Sequence, residues 1–175
     1  CAAVCMVASM NNMAAPSVSL EGKNLWLPQS LPVTPWQVLR AKLSLQLVLT
    51  GIPVLLCLAL SAPMLYRIPL VMALVVIVAL SYTLLSACLG LALGVKMPNL
   101  TWTNEVVPIK QGAPVMISLL GGWLYAIAFG AGYFLIGRWT GAVLYMTVFA
   151  VVTLAAAYLL YGWLKRGGSR LFANL

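Results

Sequence analysis

The stretch LSLQLVLTGIPVLLCLAL, residues 43–60, carries no charged side chain from end to end. A helix of about 20 such residues crosses the roughly 30 Å of hydrocarbon in a bilayer. A barrel strand would alternate apolar with polar residues, and here the apolar residues run on without alternation. Similar runs recur at residues 68–95, 113–136 and 142–164. The expected fold class is therefore all-α: a polytopic helical membrane protein with four complete transmembrane helices and the end of a fifth over residues 1–13. The composition agrees, with 63% hydrophobic and 7% charged residues and a mean hydropathy of +1.04. Soluble domains carry charge on about a quarter of their residues.

The chain opens CAAVCMVASM, without Met. No lipobox precedes Cys1, and no basic residue precedes the apolar run as a signal peptide requires. The expectation is a sequence that starts inside a helix, the C-terminal portion of a longer chain. Cys57 and Cys88 fall within spans, where a thiol packs as a small hydrophobe. Cys1 and Cys5 lack CxxC spacing and there is no His, which argues against zinc.

Charge sets the orientation. If residues 14–42 face the cytoplasm, alternation places residues 96–112 and the basic tail, 165–175, there too. Lys23, Arg40, Lys42, Lys96, Lys110, Lys165, Arg166 and Arg170 then lie inside, against Arg67 and Arg138 outside. That is a positive-inside distribution. The net charge of +8 follows from topology and anionic lipid, without nucleic acid. The outer connections SAPMLYR and GRWTG are short, so the first span is expected to pair with the second and the third with the fourth.

Residues 14–42 include EGKNLWLPQSLPVTPWQVLRAK, beginning at Glu21. Polar Glu21, Lys23 and Gln29 interleave with Leu25, Trp26 and Leu27, as in a segment lying at headgroup level. Pro28, Pro32 and Pro35 interrupt it. Thr34 suits a helix N-cap with Pro35 at the first position. Trp36, Leu39 and Leu43 then share one face.

This layout resembles the loop between the second and third spans of type-2 ABC exporter permeases. The family's acid, Gly, apolar stretch, proline turn and Lys fall here on Glu21, Gly22, Leu25–Trp26–Leu27, the turn containing Pro32, and Lys42, with Lys23 beside the Gly. The loop KMPNLTWTNEVVPIKQG resembles that of a Firmicutes-type subgroup of exporter permeases. The resemblance implies a coupling segment that docks on a nucleotide-binding ATPase subunit, with ATP on that partner and no cofactor on this chain. It also implies a second permease half or a homodimer, in a bacterial plasma membrane with the C-terminus cytoplasmic. A departure from the family pattern is Ser19–Leu20 before the acid and Lys23 where Thr is common. The plainer reading of the same segment is a membrane-surface anchor.

No GxxxxGK[ST] loop, HExxH or paired acids occur, so the chain is not expected to be an enzyme. Ser and Thr within the spans are expected to bond to their own helix backbone or to a neighbouring helix. No Asp, Glu, Lys or Arg lies deep in a span, which argues against an ion-coupled carrier. Gly90 and Gly94, and Gly122, Ala126 and Gly130, are spaced for close helix packing. Pro53 is expected to free a carbonyl near Leu49. Trp123, Tyr125, Tyr133 and Phe134 suit an aromatic girdle. The leading expectation is an ABC exporter permease subunit. The alternatives are a non-ABC membrane scaffold or assembly protein and an ion-coupled secondary transporter.

Overall fold

A computed structural model describes residues 1–21, 32–65, 68–99 and 112–173. Among these the secondary structure is helical, without strand. α1 spans Ala2–Met10, α2 Ser17–Glu21, α3 Pro35–Leu65, α4 Pro69–Lys96, α5 Ala113–Gly132 and α6 Ala142–Trp163. A π-helical turn over Leu164–Gly168 carries α6 into a last short helix, α7, at Ser169–Ala173. Four helical stretches, Pro35–Pro63, Pro69–Lys96, Ala113–Leu135 and Ala142–Ala173, are long and apolar enough to cross a membrane. The chain is an all-α, multi-pass membrane protein.

The start of α3 follows from its local sequence. The Thr34 carbonyl accepts from the Gln37 amide at 2.9 Å. The Gln37 side chain returns the bond, its Oε1 accepting from the Thr34 N–H at 2.8 Å. This is the reciprocal half of a capping box, formed by TPWQ. It begins the helix eight residues before the apolar run at residue 43, so the first span is longer than its hydrophobic stretch. Leu39 and Leu43 are buried, and Trp36 meets Tyr161 of α6 edge-on at 5.3 Å.

α4 is the central mast. It packs against α3, α5 and α6, and its buried face is rich in small residues, among them Ala79, Ser81, Ala87, Cys88, Gly90 and Gly94. Between helices in lipid the drive is close van der Waals packing, which small residues permit. The outward faces carry Leu55 and Leu56 on α3, Leu124 and Ile127 on α5, and Val151 and Val152 on α6. These apolar faces are the ones a bilayer would cover.

The pairing differs from the sequence expectation in one respect. α3 lies along α4, but α6 packs most extensively along α4 and not along α5. Rings hold α5 and α6 apart: Tyr125 meets Phe149 at 5.2 Å, and Phe129 meets Phe149 at 4.8 Å. Tyr145 adds a hydrogen bond from its hydroxyl to the Phe129 carbonyl, 2.8 Å. The two helices are joined through Gly141, whose φ of 88° lies where a Cβ is strained.

Residues 165–173 are not a free tail. The helix continues, and Phe172 is buried in a core with Val18 of α2, Leu39 and Leu43 of α3, and Leu91 and Val95 of α4. That core gathers the start of α3 and the ends of α4 and α6 at one end of the bundle. Arg40, Lys42, Lys96, Lys165, Arg166 and Arg170 therefore belong to the same end.

Candidate functional site

Two neighbouring features lie where the chain between α1 and α3 crosses the bundle. The first concerns the segment singled out in the sequence. Of its eight residues, Gly22, Lys23, Leu25, Trp26 and Leu27 lie outside the described residues. Pro32 stands in the bend before α3. Glu21 closes α2, and Lys42 lies two turns into α3. The structure brings these two together: Lys42 Nζ lies 2.6 Å from Glu21 Oε1 and donates to the Ser17 carbonyl at 3.0 Å. Their side chains are only 14% and 27% exposed, so solvent screens the pair less than it screens a surface ion pair. The Ser19 hydroxyl accepts from the Asn99 N–H at 3.0 Å. α2 is thus fastened to the head of α3 and to the chain leaving α4.

The expected measure of that fastening is a double-mutant cycle with Glu21→Gln and Lys42→Met, read by SDS-induced unfolding. Each single change is expected to destabilise by about 1–3 kcal/mol, because it strands a partly buried partner. The double variant should recover part of that loss. Strict additivity would mean the two groups do not interact in the folded protein.

The second feature lies outside the segment that the sequence marks. α1 ends at Met10, and the chain runs non-helically before α2. Backbone groups released inside a bilayer must find partners. Here Gln46 and Thr50, one turn apart on α3, supply them. Gln46 Nε2 donates to the Asn11 carbonyl at 2.6 Å, and Gln46 Oε1 accepts from the Ala14 N–H at 2.9 Å. The Thr50 hydroxyl also donates to the Asn11 carbonyl, 3.1 Å. In return Asn11 Nδ2 donates to the Leu49 carbonyl at 3.0 Å. That is the carbonyl four residues before Pro53, which a proline leaves without its helical N–H donor. The proline defect in α3 and the broken helix after α1 therefore satisfy one another. From Lys42 to Pro53 the helix rises about 16 Å, near half of the roughly 30 Å hydrocarbon thickness.

The close approach of this crossing chain rests on missing side chains. A Cβ on Gly94 would stand 2.5 Å from the Ala15 carbonyl oxygen, and Cβ atoms on Gly90 and Gly122 would collide with Asn12 and Ser9. The small-residue spacings thus serve packing within the chain, except at Gly130, where a Cβ would meet open space. Of the aromatic quartet, Phe134 points outward and Trp123 and Tyr133 are partly exposed. Tyr125 instead turns inward, 4.5 Å from the Tyr82 ring, with its hydroxyl 2.8 Å from that of Thr153. Apart from Thr50, the Ser and Thr hydroxyls in the spans bond to their own helices, as at Thr83 to the Ala79 carbonyl and Ser118 to the Val115 carbonyl. No group of His, Cys, Asp or Glu among the described residues is arranged to hold a metal.

No family model, curated protein or solved structure matches this chain.

Proposed function

We propose that the chain is the membrane-spanning permease subunit of an ATP-driven ABC exporter. In this reading the basic end faces the cytoplasm of a bacterial cell. Residues 21–30 meet a separate nucleotide-binding ATPase subunit, and ATP binds there and not on this chain. A push on that segment travels through α2 into α3. The observation that carries the reading is the Glu21–Lys42 pair, 2.6 Å long. It joins the acid at the head of the segment to the Lys before the span, the two positions that anchor the resemblance. A membrane-surface anchor requires no such strut, since a loop that only rests on lipid gains nothing from a rigid link to the next helix.

Two further observations support it. The cations gathered at one end of the bundle match a positive-inside protein with that end cytoplasmic. Each span also lacks Asp, Glu, Lys or Arg at depth, as suits a transporter whose energy arrives by contact and not by ion binding.

The test is co-purification of the full chain with an ATPase carrying a phosphate-binding loop, followed by replacement of residues 22–27 with a flexible polar linker. The expected result is an intact, folded protein whose partner no longer changes its ATPase rate with transport. Unaltered coupling in the linker variant would refute the assignment, and the scaffold reading would take its place.

A further inference from the structure

A half-open cavity of about 130 Å³ lies where α1 meets α4 and α5, with Leu85 and Leu89 on its apolar side. Its polar lining comprises Ser9, Asn12, Tyr82, Ser86, Ser118 and Tyr125. One of these presents a buried atom that has no hydrogen-bond partner among the described residues, Asn12 Oδ1, and the buried Tyr82 hydroxyl has only the Ser9 hydroxyl beside it. Tyr82 is only 2% exposed, so lipid and bulk solvent do not reach its body. We propose that this cavity is a built hydration site, holding a small cluster of water within the membrane-spanning bundle.

The chemistry of the walls selects water over other occupants. An unpaired buried hydroxyl or amide costs about 1–3 kcal/mol, and a cavity that stays dry is lined by apolar groups alone. A lipid chain offers neither donor nor acceptor. An ion would need a compensating charge, and no charged side chain lines the space. Water meets the needs of these walls: it donates to Asn12 Oδ1 and can bond to the Tyr82 hydroxyl. The serine hydroxyls extend the site. Ser9, Ser86 and Ser118 each donate to a carbonyl of their own helix, which leaves oxygen lone pairs to accept from the cluster. At about 30 Å³ per molecule in the liquid, the volume holds about four waters.

The position gives the site a mechanical meaning. Its walls are the residues between which α1 and the crossing chain are seated: Ser9 lies against Gly122, and Asn12 against Gly90. Bound water there bridges helices without locking them, because it can re-form its bonds as the walls shift.

The experiment is radiolytic hydroxyl-radical labelling of the full-length protein in lipid nanodiscs, with oxygen addition located by mass spectrometry. Bound water generates radicals in place, so Tyr82 is expected to be oxidised although it is buried. Leu124, which faces outward at 73% exposure, is expected to stay unlabelled in lipid. Gly121 also lines the cavity, and a Cβ there meets nothing within 4 Å. Gly121→Leu should therefore fill the space and abolish the Tyr82 label. Ser118→Leu serves if that variant elutes misfolded. Tyr82 labelled no faster than Leu124, after correction for intrinsic reactivity, overturns the proposal. So does a Tyr82 label that persists in both folded filling variants. Neither outcome depends on what the protein transports.

Discussion

Gln46→Leu is expected to destabilise the folded protein by about 2–4 kcal/mol, read as an earlier midpoint of SDS-induced unfolding. The substitution nearly conserves volume and raises the hydropathy of α3. Hydropathy alone would therefore predict a neutral or improved span. The opposite sign is expected because Gln46 serves three partners: the Asn11 carbonyl, the Ala14 N–H and the Thr50 hydroxyl, which it reaches at 2.6 Å. The Asn11 carbonyl keeps Thr50 as a donor. Ala14, which is buried, loses its acceptor outright, and a backbone N–H without a partner in a low-dielectric interior bears the full desolvation penalty. Single hydrogen bonds within membranes are often worth under 1 kcal/mol, so the magnitude here comes from stranding a backbone group. Asn11→Ala, which removes only the Leu49 carbonyl's donor, should cost about 1–2 kcal/mol. An unchanged midpoint in Gln46→Leu would mean that residues 11–14 do not cross against α3 in the bilayer.

The second large effect belongs to Gly94. Its missing Cβ would lie 2.5 Å from the Ala15 carbonyl oxygen, with the Ala14 carbonyl oxygen 3.4 Å away. Both obstacles are backbone, so no rotamer change relieves the clash. Gly94→Ala is expected to cost about 1–3 kcal/mol, and Gly94→Val more, through separation of the crossing chain from α4. Gly51 provides the internal comparison. It is also helical, a Cβ there meets nothing within 4 Å, and Gly51→Ala should be stabilising by about 0.5–1 kcal/mol from helix propensity alone. Equal responses at the two positions would refute the packing described for Gly94.

These two sites mark where the sequence is legible and where it is not. The four spans can be read because long apolar runs leave few options to a chain in lipid. Their ends are harder. α3 begins at Pro35 because a capping pair outweighs the polar character of its first turns. α6 runs on past Lys165 and Arg166 because Gly167 and Gly168 are absorbed into a π-helical turn instead of ending the helix. The carbonyl freed by Pro53 can also be read locally, since it depends on a fixed offset along one helix. Its donor cannot: Asn11 and Leu49 are 38 residues apart, and their meeting depends on where α1 stops and how α4 seats the chain. The Asn11–Asn12 pair and the Gln46–Thr50 spacing were available as signals, being polar residues in otherwise apolar surroundings. For the segment proposed to couple, Glu21 and Lys42 each carry meaning in the sequence, but nothing local announces that they touch.

The burial of Phe172 gives the carboxyl-terminal helix an unexpected use. Because that ring shares its nest with Val18, Leu39 and Val95, a shift of α2 against α3 must reshape the nest. An environment-sensitive dye at Ala173 would then act as a strain gauge, reporting rearrangements that begin on the far side of the same floor.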